Sequence, residues 1–144
     1  MQHVAIMRSS WKLTQKILSG EKVIESRWYK TKHAPYNKIQ AGDTIYFKDC
    51  GKGVCISADV CKVLQFDSLT PLKVHKLLLS YGKADGITKD DFNFFYQLFK
   101  DKTYCILIFL DHPTEIEPFT ISKKGFGAMA SWICIDDIEK IRLQ

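Results

Sequence analysis

Three ionisable side chains, Lys22, Glu25 and Arg27, fall in and just before a short stretch, Val23 to Trp28, that otherwise has the composition of a buried strand. Side chains alternate between the two faces of a strand, so Glu25 and Arg27 share one face, with Val23 flanking them on that side. Charges are costly to bury unless they are hydrogen-bonded to one another or to a ligand. The pattern therefore has two readings. One is a structural ion pair; the other is a site where an ammonium, a carboxylate and a guanidinium together hold a partly anionic molecule. Trp28 and Tyr29 follow directly, and an aromatic ring beside cations is what stacking of an unpaired base requires. Trp28 suits closure of the core equally well. Lys30, Lys32 and Lys38, on the loop beyond, are simple solvated charges that also lie where a phosphate backbone would run.

A second cationic segment is Lys123, Lys124, Gly125, Phe126 and Gly127. Paired glycines let a backbone approach a ligand closely and present N–H groups to an anion. The same residues also read as a basic turn, and they lack the GxxxxGK[ST] form of a phosphate-binding loop. The five cysteines, at 50, 55, 61, 105 and 134, contain no CxxC pair and match no common zinc spacing. His3, His33, His75 and His112 are scattered and read as surface or capping residues. No GxSxG and no Cys/His nucleophile signature is present, so neither a metal nor a cofactor is expected.

The elements that would position Lys22, Glu25 and Arg27 can be read from spacing. His3 to Met7 is a short strand. Ser9 or Ser10 caps a helix that buries Trp11, Leu13, Ile17 and Leu18, and Gly20 ends it. Val23 to Trp28 is a strand; Gly42 and Asp43 turn the chain into another, Thr44 to Lys48; Asp49 to Gly53 is a hairpin loop. Val54 to Phe66 is long enough to bend across a barrel as one strand. Two helices interrupt the β pattern, one capped by Thr70, begun by Pro71 and ended near Gly82, the other capped by Thr88 with Phe92, Phe95 and Phe99 at core spacing. Tyr104 to Leu110 is an apolar central strand, and Trp132 to Ile135 is a last strand beyond a Gly-containing loop. This order predicts an α+β fold: a small, partly open β-barrel with flanking helices and a helical insertion.

The bulk properties agree with one domain over residues 1–144. The 144 residues are 46% hydrophobic and 26% charged, with no repeat, linker or low-complexity tract. No run approaches the roughly 18 apolar residues of a membrane span, and Met1 to Ser10 lacks the continuous apolar core of a signal peptide. An odd cysteine count, with two cysteines inside apolar runs, predicts a reducing, cytoplasmic setting. The formal charge is +5, and it is uneven: residues 1–62 hold eleven Lys/Arg against five Asp/Glu, residues 63–144 ten against eleven. A positive N-terminal half favours anionic partners.

Gly20, Lys22, Glu25 and Arg27 together spell GxKxxExR. With the segment NKIQAGDTIYF (Asn37 to Phe47), whose GD turn leads into an apolar strand, and the strand Val54 to Val63, the chain resembles the ASCH domain family of the PUA-like superfamily. The resemblance covers about the first half of the chain at motif level, and the layout of the remainder is compatible. It implies a small β-barrel whose pocket, lined by the GxKxxExR residues, holds RNA or a nucleoside or nucleotide. Lys22 and Arg27 would then meet phosphate or a base carbonyl, and Glu25 would orient Arg27 or accept from an exocyclic amine. Some members of the superfamily remove the acetyl group of N-acetylcytidine with a Lys, a Thr and a Glu, and a ribonuclease activity is attributed to others. Lys22 matches that Lys, but Glu25 stands at the position of the Thr, and the acid would have to come from the helical insertion, where Asp85 is the nearest candidate. A binding module is therefore the first expectation; a small amidohydrolase using Lys22, Glu25 and Asp85 is the second.

Overall fold

The long β-rich run from Val54 to Phe66 organises the molecule. In the computed structural model, which describes residues 1–143, it forms one strand, β4 (Val54–Phe66), with Val54, Ile56, Ala58 and Val60 buried. The remaining strands are β1 (Gln2–Met7), β2 (Ile24–Tyr29), β3 (Thr44–Asp49), β5 (Tyr104–Phe119) and β6 (Trp132–Ile135). They form one six-stranded sheet in the order β2-β5-β4-β3-β1-β6. Among the described residues only the β1–β3 contact is parallel. Register shifts along β4, at Val54/Ile56, Ser57/Asp59 and Val60/Lys62, mark bulges that bend the strand, and the sheet curls into a half-open barrel.

The curl leaves β2 and β6 as the two free margins, so the barrel has a seam. Inside lies one apolar cluster that includes Ala5, Met7, Ile45, Phe47, Ile106 and Ile108 and is closed at one end by Ile17 of α1 (Leu13–Ser19). The outer face of β2 and β5 packs Ile24, Trp28, Cys105 and Leu107 on Val74 and Leu78 of α2 (Pro71–Tyr81) and on the aromatic face of α3 (Phe92–Phe99). A third cluster, Val4, Val54, Ile133, Ile138 and Ile141, lets the C-terminal segment cover the sheet's other outer face. This is the α+β half-barrel with a helical insertion that the element order predicts. Among the described residues no helix is long and apolar enough to cross a membrane.

Several local expectations are corrected. The first helix does not start at a Ser9 or Ser10 cap. Ser9–Trp11 forms a separate 3-10 turn, Lys12 takes a left-handed conformation (φ 55°), and α1 begins at Leu13 without a side-chain cap. That break rotates the helix, so Thr14 and Ile17 point inward and Leu18 is left exposed. Thr88 does accept a hydrogen bond from the Asp91 N–H (3.3 Å), but the capped residues form a turn, and α3 starts only at Phe92. β5 runs nine residues past the expected Leu110 because its polar half pairs with the near half of β4. His3 is no surface residue; it is fully buried.

Other local signals act as read. Gly20 ends α1 at φ 84° and donates to the Ile17 carbonyl (3.2 Å). Thr70 caps α2, its hydroxyl accepting from the Lys73 N–H at 3.3 Å, with Pro71 in the first turn. Thr70→Ala should lower stability by about 1 kcal/mol. A urea titration would report it as a lower midpoint at unchanged slope, and an unchanged midpoint would remove the cap's assigned role.

Candidate ligand-binding site

Lys22 is carried inward by the chain's path rather than by a regular element. Its N–H donates to the Lys16 carbonyl of α1 (2.9 Å), and the N–H groups of Val23 and Ile24 both donate to the Ala84 carbonyl (2.8 and 3.1 Å). The loop after α2 is thereby fastened to the start of β2, with Asp85 opposite Lys22. The Lys22 ammonium donates to the Asp85 carboxylate and to the Asp85 carbonyl (2.8 Å), and it lies 3.3 Å from Glu25 Oε1. The other oxygen of Glu25 accepts from Arg27 Nε (3.2 Å) and Nη2 (2.9 Å). Ser26, on the opposite face of β2, donates to the second Asp85 oxygen and accepts from the Trp28 indole N–H (3.0 Å). Two cations and two carboxylates thus alternate as Arg27, Glu25, Lys22, Asp85, with Ser26 terminating the row.

These groups perturb one another in opposite senses. Burial pushes the Lys22 ammonium down, but Asp85 and Glu25 outweigh it and hold it above the ordinary lysine value. For Glu25, burial pushes up, while Lys22 and Arg27 win and hold it below the usual carboxylate range. Asp85 goes the other way: burial and the Glu25 charge raise it more than Lys22 and the Ser26 hydroxyl lower it. Two carboxylates sharing one ammonium are therefore driven apart.

Glu25, Ser26, Arg27 and Tyr29 line a groove of about 290 Å³ along the free margin of β2, closed on its far side by Trp11 and Phe99. Beneath it Lys22, Glu25, Ser26 and Asp85 surround a hollow of about 40 Å³, room for water but not for a base. Lys22 and Glu25 are each 2% exposed: Lys22 lies behind the groove, and Glu25 forms part of its wall with little surface of its own. Arg27 crosses the seam. Its Nη1 donates to the Ser131 carbonyl (3.2 Å), its Nη2 to the Ile6 carbonyl (3.4 Å), and its guanidinium lies 5.0 Å over the Trp132 ring. The carbonyls of Val23 and Tyr29 accept from residues on the β5 side. Strand alternation consequently turns the backbone N–H and C=O of Ser26 and Trp28 toward the free margin.

Of the other sequence-predicted residues, Trp28 and Tyr29 also line the groove, and the rest are dispersed. Val23 precedes β2 and is exposed instead of flanking Glu25. Trp28 is 7% exposed and stacks on Phe99 (centroids 4.8 Å apart, planes 8° apart), so its ring face belongs to the core. Tyr29 donates its hydroxyl to the Ala34 carbonyl (3.0 Å). Lys32 lies over the rings of Tyr36 and Tyr104, away from the groove lining. Lys123, Lys124, Gly125 and Phe126 do not line it either; Lys123 donates to the Ala128 carbonyl within its own loop, and only Ser131, at that loop's end, reaches the site. A larger hollow of about 710 Å³ between Gly20 and α2 meets none of the three charges. Sequence reading missed Trp11, Ser131 and Trp132. None of them carries a local signal, since each arrives through tertiary contact.

Gly86 shows how tightly Lys22 is enclosed. It holds φ +83°, and a Cβ there would sit 3.1 Å from Lys22 Cβ. Gly86→Ala combines a left-handed alanine with that close contact and should cost about 1–3 kcal/mol. A thermal melt indistinguishable from that of the parent protein would show the loop to be looser than described.

No protein-family model and no curated protein matches the sequence. Among solved structures the chain is similar to an ASCH protein from Zymomonas mobilis, at 17% identity over 96% of this chain and 90% of that one, with a TM-score of 0.66. A Y47F variant of the Zymomonas protein gives 0.67. The N-terminal domain of McrB from Staphylothermus marinus matches at 14% identity over 93% of this chain and 87% of that one, with a TM-score of 0.59. The fold is ASCH-like.

Proposed function

We propose that this ASCH-like chain binds a nucleotide, or an unpaired base of an RNA strand with its phosphate, in the groove along β2. The observation that carries the reading is the state of Arg27. Of the five N–H donors of a guanidinium, one on Nη1 bonds no carbonyl or carboxylate among the described residues, and Arg27 lines a groove shared with the rings of Trp11, Trp28, Tyr29 and Phe99 and with two further cations, Arg8 and Lys102. A fixed cation with a spare donor suits a phosphate or a base carbonyl. Free backbone groups of Ser26 and Trp28 offer a donor and an acceptor pattern to a base edge. At about 290 Å³ the groove lies at the small end of ligand pockets, which favours one base or nucleoside over a longer stretch. The positive N-terminal half would draw in the remaining phosphates.

The test is fluorescence anisotropy with a labelled single-stranded RNA octamer at several salt concentrations. Affinity should fall linearly in log–log form as salt rises, with a slope of about −0.7 per phosphate neutralised. Absence of binding, or binding indifferent to salt, would sink the reading.

A second reading has one observation in its favour. Asp85, donated by the helical insertion, meets the Lys22 ammonium directly, and its carboxyl is raised while that of Glu25 is lowered, the separation expected of an acid and a base. An amidohydrolase acting on a modified nucleoside such as N-acetylcytidine would activate water with a carboxylate of this cluster, and Lys22, sealed behind the groove, would have to be uncovered before it could polarise the acyl oxygen. Prolonged incubation with N-acetylcytidine that yields no cytidine would eliminate it for that substrate.

A further inference from the structure

We propose that His3 is a positioning residue for this groove: through Trp132 it sets the surface on which Arg27 lies. This rests on the groove as the binding site. His3 is on β1, remote from β2 in the sheet order, and is fully buried. Its Nδ1 accepts from the indole N–H of Trp132 at 3.1 Å, and its Nε2 lies 2.8 Å from Asp43 Oδ2. An indole N–H is only a donor, so Nδ1 carries no proton. The proton therefore sits on Nε2 and is donated to Asp43, and the ring is neutral. Asp43 is itself fixed, accepting from the Gln40 N–H (3.1 Å) with the Met1 amino group 3.6 Å away. Trp132 in turn lies beneath the Arg27 guanidinium at 5.0 Å. A row of contacts thus leads from the Gly42–Asp43 turn through β1 and β6 to Arg27, which bridges the seam.

A tryptophan could be held in place by packing alone. Here its only polar atom is used, and used by a ring whose second nitrogen is also committed, so the indole plane has one favoured setting. A cation over an aromatic face is sensitive to where that face is. If the indole turns, Arg27 keeps Glu25 but loses its floor, and the spare Nη1 donor swings out of register with the groove.

Protonation of Nδ1 would break the bond to Trp132. The charged groups acting on His3 are Asp43, from the turn before β3, and the Met1 amino group; Cys134, paired opposite it on β6, is a thiol that burial keeps protonated. Burial lowers the imidazole below its ordinary value and outweighs the pull of Asp43. The unfolded chain therefore takes the proton first. The contribution of His3 to stability is present at neutral pH and is lost as pH falls through and below the ordinary histidine range.

Two substitutions separate the two halves of the imidazole. His3→Asn places an amide oxygen near Nδ1 and can still accept from Trp132; His3→Gln places its amide near Nε2 and can still serve Asp43 only. NMR of the Trp132 indole N–H and the Arg27 Nε–H, with binding of the labelled RNA octamer, reads the outcome. In His3→Gln the indole proton should exchange about tenfold faster, the Arg27 signal should broaden, and Kd should rise about tenfold. In His3→Asn all three should stay within about twofold of the parent protein. Equal losses in both variants, or an Arg27 signal unchanged in His3→Gln, would overturn the proposal. If the parent protein binds no RNA, the groove reading fails by itself, and the two N–H signals still decide the positioning role. Should His3→Gln not fold, acidifying the parent protein asks the same question: the Trp132 and Arg27 signals should change together, and Arg27 holding its signal after Trp132 has lost its own would overturn it.

Discussion

Lys22→Met should destabilise the protein by about 3–5 kcal/mol, the range for removing one partner of a buried ion pair. Methionine nearly preserves the length of the stem, so the loss isolates the charge. Without the ammonium, Asp85 and Glu25 would face each other across a hollow of about 40 Å³, with only Arg27 and the Ser26 hydroxyl left to balance them. One carboxyl would have to take a proton, and Asp85, already raised, is the one placed to do so. The deficit should accordingly shrink as pH falls, because the variant's native state gains a proton that the unfolded chain holds less tightly. Adding Asp85→Asn should recover about 2 kcal/mol, since the remaining Glu25–Arg27 pair is neutral. Urea titrations of the two variants at two pH values would check all of this. A single-variant loss under about 1 kcal/mol would mean that the cluster is more hydrated than its burial indicates.

Arg27→Ala should weaken binding of the single-stranded RNA octamer by about 10- to 100-fold, the range for losing a hydrogen bond to a charged partner. Arg27→Lys should rescue little of it. A lysine can reach Glu25, but it cannot at the same time bond the Ser131 and Ile6 carbonyls, lie flat over Trp132 and keep a donor for the groove. The salt slope should fall by about one in Arg27→Ala if the guanidinium meets a phosphate, and stay unchanged if it meets a base carbonyl. Titrating the three proteins in parallel gives both numbers. Affinity retained in Arg27→Ala would place the ligand elsewhere.

The legible part of this molecule is what is local. Gly20, Thr70 with Pro71, the Gly42–Asp43 turn and the alternating run Val54 to Phe66 each have a cause within a few residues, and each forms as read. The α1 start is not legible, because Ser9 and Ser10 look like caps, whereas the left-handed Lys12 that splits the turn from the helix has no counterpart in residue type. The site divides in the same way. Glu25 and Arg27 share a face because strands alternate, and that was visible. That Lys22 is sealed behind them, that Asp85 arrives from more than sixty positions away, and that Arg27 lies on Trp132 depend on how the insertion and β6 come back to β2. His3 shows the limit best: alone in sequence it reads as a surface histidine, and only its two partners, 40 and 129 positions distant, make it a buried relay.

The seam of the barrel bears on a different hazard. A strand at the margin of a sheet offers unpaired amides to any other extended chain, and such an edge invites aggregation unless something discourages pairing. On β2 the discouragement is a pair of inward-pointing charges on an edge strand, Arg27 at the groove and Glu25 behind it, beside which a visiting strand would have to pack. Variants that neutralise the groove therefore remove a guard as well as a binding group, and loss of solubility in them would be a second, separate readout of the same two charges.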